Sequence, residues 1–182
     1  MTLLNNWEST YFDFDENKLI GLMDEATKLG VDMFLLDDGW FGNKHPRNDD
    51  HAGLGDWEAM KSKLPGGIPA LVEKAKEAGV KFGIWIEPEM VNPKSDLFET
   101  HPEWAIHYSN RETYYFRNQL VLDLSNPKVQ DFVFGVVDDL MTKYPGIAFF
   151  KWDCNSPITN IYSSYLKEKA VALVHRLCSR SV

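Results

Sequence analysis

Cysteine is scarce. Cys154 and Cys178 are the only two in 182 residues, too few for a disulfide framework and without metal-ligand spacing, so a reducing cytoplasm is the expected compartment. Long apolar runs are missing as well: no segment approaches the roughly 18 apolar residues of a membrane helix. The opening MTLLNNWEST has neither a basic n-region nor an apolar h-region, so no export signal is expected. Positive charge is short, with 19 Lys and Arg against 27 Asp and Glu and a net charge of -8, which argues against nucleic acid or a membrane surface as partner. No glycine-rich phosphate loop follows an apolar run, and no Gly-x-Ser-x-Gly occurs. His45, His51, His101, His107 and His175 show neither His-x-His nor His-Glu-x-x-His spacing. Nucleotide folds, acyl hydrolases and metal hydrolases are left without support, and no cofactor or metal is expected.

What is present is an ordinary apolar fraction, 44%, in a length that suits one domain, and a generous set of aromatics that includes six tryptophans. Several tryptophans stand beside acids and glycines at the ends of apolar runs, where a flat ring could stack on a sugar face. The apolar runs alternate with helical stripes. The opening LLNNW, Leu3 to Trp7, turns polar at Asn5 and Asn6 and reads as a first strand with Trp7 and Glu8 at its mouth. Asp15 caps a helix over Glu16 to Leu29, closed by Gly30. Val31 to Leu36 is a second strand, followed by a loop to about Gly67 that is too long for an ordinary βα connection and reads as folded over a site. Ile68 to Ala78 is helical and Lys81 to Ile86 a third strand. Leu120 to Leu124 reads as a short strand, Pro127 to Lys143 as a helix with proline in its first turn, and Ile147 onward as a further strand. A helical pattern follows Pro157 to the end. Four clear βα units result, an α/β pattern, with a doubly wound sheet as the competing architecture.

Each clear strand ends in polar or acidic residues, which in parallel barrels is the end that carries chemistry. The stretch IAFFKWDCN, Ile147 to Asn155, runs from apolar straight into charge. Lys151 and Asp153 are two apart and share a face of an extended chain, where the ammonium would favour the ionised carboxylate. The spacing alone fits a solvated ion pair equally well. Asp37 and Asp38 are adjacent, so one enters the mouth unless Gly39 redirects the other, and either could instead cap the turn. Glu87 and Glu89 share a face if Pro88 permits, and read as hydrogen-bonded supporting groups. Trp40, Trp57 and Trp85 are sugar-stacking candidates or core, Trp104 and Trp152 structural, and Cys154 a small buried filler. His45 and His51 read as surface residues.

FLLDDGWF (Phe34 to Phe41), GLGDW (Gly53 to Trp57), KLPGGI (Lys63 to Ile68), FGIWIEPEM (Phe82 to Met90), RNQLVLDLS (Arg117 to Ser125) and FFKWDCN occur in this order along nearly the whole chain. Together they resemble the bacterial α-galactosidases of glycoside hydrolase family 36, the melibiase and raffinose-hydrolase group. The resemblance implies a TIM-type (β/α)8 barrel whose fourth strand delivers the nucleophile, here Asp153. It implies that Asp37 and Asp38 bind galactosyl hydroxyls, that Trp85 packs near the ring, and that Arg117, Lys151 and Asn155 complete the pocket. The general acid/base is then a second aspartate on a later strand, beyond Val182. Residues 1–182 are expected to form part of the catalytic domain, about four βα units or a half barrel. The expected activity is retaining hydrolysis of terminal α-galactosides such as melibiose or raffinose. A catalytically incomplete fragment acting as a sugar-binding or interaction module, and a galactosyl transferase of the same family, are the alternatives. A half barrel leaves strand edges unpaired, so a homo-oligomer or the missing barrel half is the expected macromolecular partner.

Overall fold

The computed structural model describes residues 1–108, 110–156 and 161–169. Its elements are β1 (Leu3–Asn5), α1 (Trp7–Thr10), α2 (Glu16–Lys28), β2 (Met33–Leu36), α3 (Gly67–Glu77), β3 (Lys81–Ile86), β4 (Met90–Val91), α4 (Asp96–Thr100), a 3-10 turn (Pro102–Trp104), β5 (Leu120–Val121), α5 (Pro127–Lys143) and β6 (Ile147–Trp152). β1, β2, β3 and β6 form one parallel sheet in that order. Among the described residues, no helix is long and apolar enough to cross a membrane.

The helices form where capping and apolar spacing agree. The Asp15 side chain accepts the Lys18 backbone N–H at the start of α2, and Leu19, Met23 and Ala26 put one face into the core. In α5, Asn126 accepts from the Lys128 N–H, Pro127 occupies the first turn, and Val129, Val133, Val136 and Leu140 are buried. β2 is buried at all four positions, as a parallel strand covered on both faces must be. Burying Leu or Met side chains of this kind is worth about 1.5–3 kcal/mol each.

Most expected boundaries hold within two residues, and β3 has the expected ends. The strand expected over Leu120 to Leu124 is shorter and lies outside the parallel sheet. β5 pairs antiparallel with β4. Beyond it the Leu122 N–H still follows that register, donating to the Glu89 carbonyl, and the Asp123 N–H then turns to the Trp104 carbonyl, where Leu122 bridges Ala105. Of the helix expected after Pro157, residues 164–169 are helical. Residues 157–160 and 170–182, with His175 and Cys178, lie outside the described residues.

β3 is joined closely to both neighbours at Gly83. A Cβ there would lie 2.8 Å from Leu35 Cδ1 and 3.3 Å from the Phe149 carbonyl oxygen. Leu35 is itself buried and has little room to turn aside. Gly83→Ala is therefore expected to destabilise the fold by about 1–3 kcal/mol, read as a lower urea midpoint at unchanged slope. An unchanged midpoint would mean that the strands separate there at no cost.

Candidate active site

The site is assembled at the carboxyl ends of the four parallel strands. Register places Asn5 beside Leu35, Leu35 beside Gly83, Gly83 beside Phe149, and Trp85 beside Lys151. Alternation along each strand then sends Asn5, Asp37, Trp85, Lys151 and Asp153 to one face. Their hydrogen bonds agree. Asp37 Oδ2 accepts from Asn5 Nδ2 at 2.6 Å and from Lys151 Nζ at 2.8 Å. Asp153 Oδ2 accepts from Trp85 Nε1 at 3.0 Å and lies 3.9 Å from Lys151 Nζ. The Asp153 N–H donates to the Ile86 carbonyl, so the ladder between β3 and β6 fixes this residue's backbone.

A cavity of about 310 Å³ is lined by Trp7, Asp37, Asp38, Trp85, Arg117, Lys151, Asp153 and Asn155. All seven residues singled out from the sequence thus meet in one place, with Trp7 as an eighth wall. Lys151 and Asp153 face each other as their spacing predicts, at 3.9 Å, but the closer partner of the lysine is Asp37, at 2.8 Å, so it bridges the two carboxylates. Burial pushes the Asp153 carboxyl up. Hydrogen bonds from Trp85 and Asn155 and the charges of Lys151 and Arg117 outweigh it, and the net direction is below the ordinary carboxylate value. Asp153 is accordingly an anion at neutral pH.

Asp38 also lines the cavity, but its carboxylate is engaged. Gly39, at φ 102°, turns the chain, and both Asp38 oxygens accept from the fully buried Arg47 guanidinium, Nε at 3.0 Å and Nη2 at 2.8 Å. A carboxylate has lone pairs to spare beyond such a fork. Arg47 Nη1 donates to Asn92 Oδ1, and Asp50 accepts from both Arg47 and Arg117. Arg117 and Asn118 form a tight turn with φ 50° and 60° between the bridged residues Phe116 and Gln119, the two-residue hairpin geometry that needs positive φ at both central positions. The long loop after β2 is thereby tied to the hairpin that carries Arg117.

Arg47, Asp50 and Asn92 were not recognisable from sequence. They sit in irregular segments without period, and their partners lie up to 67 residues away. Asn5 and Trp7 did carry a signal, as polar and aromatic residues ending the first apolar run.

Several expectations are corrected here. Trp40 is buried, with Nε1 donating to the Trp85 carbonyl, so it is core. Trp57 packs at ring distances of 4.6 to 6.1 Å from Phe41, Trp40 and Trp85 and does not line the cavity. Trp152 is exposed, its Nε1 donating to Glu89. Cys154 is exposed rather than a buried filler, because the chain leaves the sheet after Trp152. Partial desolvation of its sulfur, then Glu89, raise the thiol to about 11.

Carboxylates, a lysine and an indole gathered at the carboxyl ends of parallel strands, in a cavity of small-molecule size, are the site class of a barrel-type α/β enzyme that handles polar substrates. The chain belongs to the melibiase family, whose family model matches residues 1–179. It is 44% identical over 175 residues to an alpha-galactosidase of Geobacillus stearothermophilus, covering 96% of this chain and 24% of that protein. The structure of that organism's glycoside hydrolase family 36 enzyme in complex with raffinose superposes with a TM-score of 0.85 at 44% identity, over 90% of this chain and 22% of the other. An alpha-galactosidase from Lactobacillus brevis gives 0.87 at 42% identity, over 96% and 23%. The fold is thus of the barrel type that these enzymes share, and the chain spans about a quarter of their length.

Proposed function

We propose that residues 1–182 bind the galactosyl unit of a terminal α-galactoside, of the melibiose or raffinose type, and supply the nucleophile for its retaining hydrolysis. The observation that carries this reading is the ionised Asp153 carboxylate, held at the end of β6 by Trp85 and faced by Lys151 inside the same cavity as Asp37. The raffinose complex of the 44% identical relative supports the substrate class.

In this mechanism Asp153 attacks the anomeric carbon from the face opposite the leaving oxygen. The glycosidic C–O bond breaks as the carboxylate C–O bond forms, and water then cleaves the galactosyl ester with a second inversion. Lys151 balances two adjacent carboxylates and, behind the hydrogen bonds from Trp85 and Asn155, helps keep Asp153 unprotonated. Asp37, buried and receiving three donors, two on Oδ2 and the Asp38 backbone N–H on Oδ1, keeps acceptor capacity on Oδ1 for a sugar hydroxyl, and Asp38, Arg117 and Asn155 complete the wall. The leaving oxygen is protonated by a second aspartate that residues 1–182 do not carry. β1 and β6 each have one neighbour in the sheet, and β6 exposes Phe149 and Trp152. These edges fit further strands, from the remaining barrel half or from another copy.

The test is covalent trapping with a ring-fluorinated α-galactosyl fluoride, whose fluoride leaves without protonation while the ring fluorine slows hydrolysis of the ester. The expected result is one galactosyl adduct per chain, mapped by peptide mass spectrometry to Asp153. An adduct on another residue, or none while the sugar demonstrably binds, removes Asp153 as nucleophile. Failure of the sugar to bind removes the galactoside reading.

A further inference from the structure

Glu87 directly follows β3 and is fully buried. Its Oε1 accepts the Asn155 backbone N–H at 2.8 Å. Its Oε2 has no hydrogen-bond partner among the described residues. Asn155 in turn donates from its side chain to Asp153. Two hydrogen bonds therefore lead from a buried carboxyl, through the turn after β6, to the carboxylate at the centre of the cavity. Burying a carboxyl is costly, and among the described residues its contact of consequence is with that turn. We infer that Glu87 is a positioning residue, a pH-sensitive latch that holds the turn carrying Asp153 and Asn155. The inference rests on the proposed role of Asp153 only for its effect on chemistry.

Burial raises the Glu87 carboxyl to about 7; the Asn155 N–H opposes this, while Glu89, Asp38 and Asp153 add to it. The charged and titratable groups facing it are thus Asp38 after β2, Glu89 on the turn to β4, Asp153 and Cys154 after β6, and Arg117 on the hairpin. The value lies above the ordinary one for glutamate, so the closed form binds a proton that a hydrated carboxyl releases. The stabilisation is complete below about 4.5 and is lost as pH rises through about 7. Opening the turn hydrates the carboxyl, so its ionisation favours the open turn.

Two readouts test this. One is amide hydrogen exchange at Asn155, corrected for the intrinsic pH dependence of exchange. The other is the rate of Asp153 trapping by the fluorinated α-galactosyl fluoride. Wild type is expected to lose Asn155 protection several-fold between pH 6 and 8, with trapping slowing in parallel. Glu87→Gln, which keeps the acceptor oxygen and cannot ionise, is expected to hold both constant across that range. Glu87→Leu should show low protection and slow trapping at every pH. The latch is overturned if Glu87→Gln shows the wild-type pH profile, or if Glu87→Leu keeps wild-type protection. Should Glu87→Leu not fold, the comparison of wild type with Glu87→Gln decides alone. Absence of trapping in wild type overturns the Asp153 reading, and the exchange data still decide whether Glu87 holds the turn.

Discussion

Arg47→Met is expected to lower the free energy of unfolding by about 3–5 kcal/mol, the cost of leaving a buried charge without its partner. The side chain is fully buried, and its guanidinium makes a two-point contact with Asp38 while also reaching the Ala52 carbonyl, Asn92 and Asp50. Methionine matches much of the length and none of the donors. Asp38 would remain buried beside Asp37 and Asp50 with no cation in contact, and Asn92 would lose a donor to its carbonyl oxygen. The loss is a large fraction of the stability of an ordinary domain. Urea unfolding followed by circular dichroism measures it. Asp38→Asn in the Arg47→Met background is expected to recover part of the loss, because the neutral amide no longer requires a counterion. A change below about 1 kcal/mol for Arg47→Met, the range of an exposed pair, would show that the guanidinium does not hold this loop.

The position of Arg47 also marks where reading from sequence ends. β3 was legible to its last residue because seven residues, mostly apolar, run between Gly79 and Glu87, and the strand is buried on both faces. α2 and α5 were legible because cap and stripe coincide. The meeting of Asp37, Trp85, Lys151 and Asp153 was legible for a related reason: each stands at or just past the end of an apolar run, and a parallel sheet aligns all such ends. Arg47 has neither signal. It stands in a loop with Asp38, Asp49 and Asp50 nearby, which reads as a solvated charge cluster. Only the closing of that loop against Asn92 and the Arg117 hairpin makes it the buried centre of a network. Trp40 and Trp85 show the same limit in one dimension. Both follow or end strands beside acids, and which ring lines the cavity depends on the twist of the chain at Gly39, a tertiary property. The shortened strand at Leu120 was misjudged because its apolar residues pack against α5 and the 3-10 turn and pair with β4, an outcome that composition leaves undetermined.

Asp153→Gly is expected to reduce turnover of α-galactosyl fluoride by a factor on the order of 10⁴ or more, the scale seen when a covalent nucleophile is removed. Fluoride departs unaided, so the measurement isolates the nucleophile from the acid that protonates ordinary leaving groups. The Asp153 side chain is about one-third exposed, and its removal takes no buried apolar volume from the core, so the fold should persist. Loss of Asp153 also leaves Trp85 Nε1 without its acceptor and Lys151 with Asp37 alone. The space vacated by the carboxylate can admit azide, with Lys151 and Arg117 as nearby cations. Azide should then displace fluoride directly: the C1–F bond breaks, a C1–N bond forms from the opposite face, and β-galactosyl azide accumulates. Wild type given azide should instead form the Asp153 ester first and yield the α-azide, by two inversions. Nuclear magnetic resonance of the anomeric proton distinguishes the two products. The α-azide from Asp153→Gly would mean that another carboxylate in the cavity, Asp37 being the nearest candidate through Lys151, forms the covalent bond.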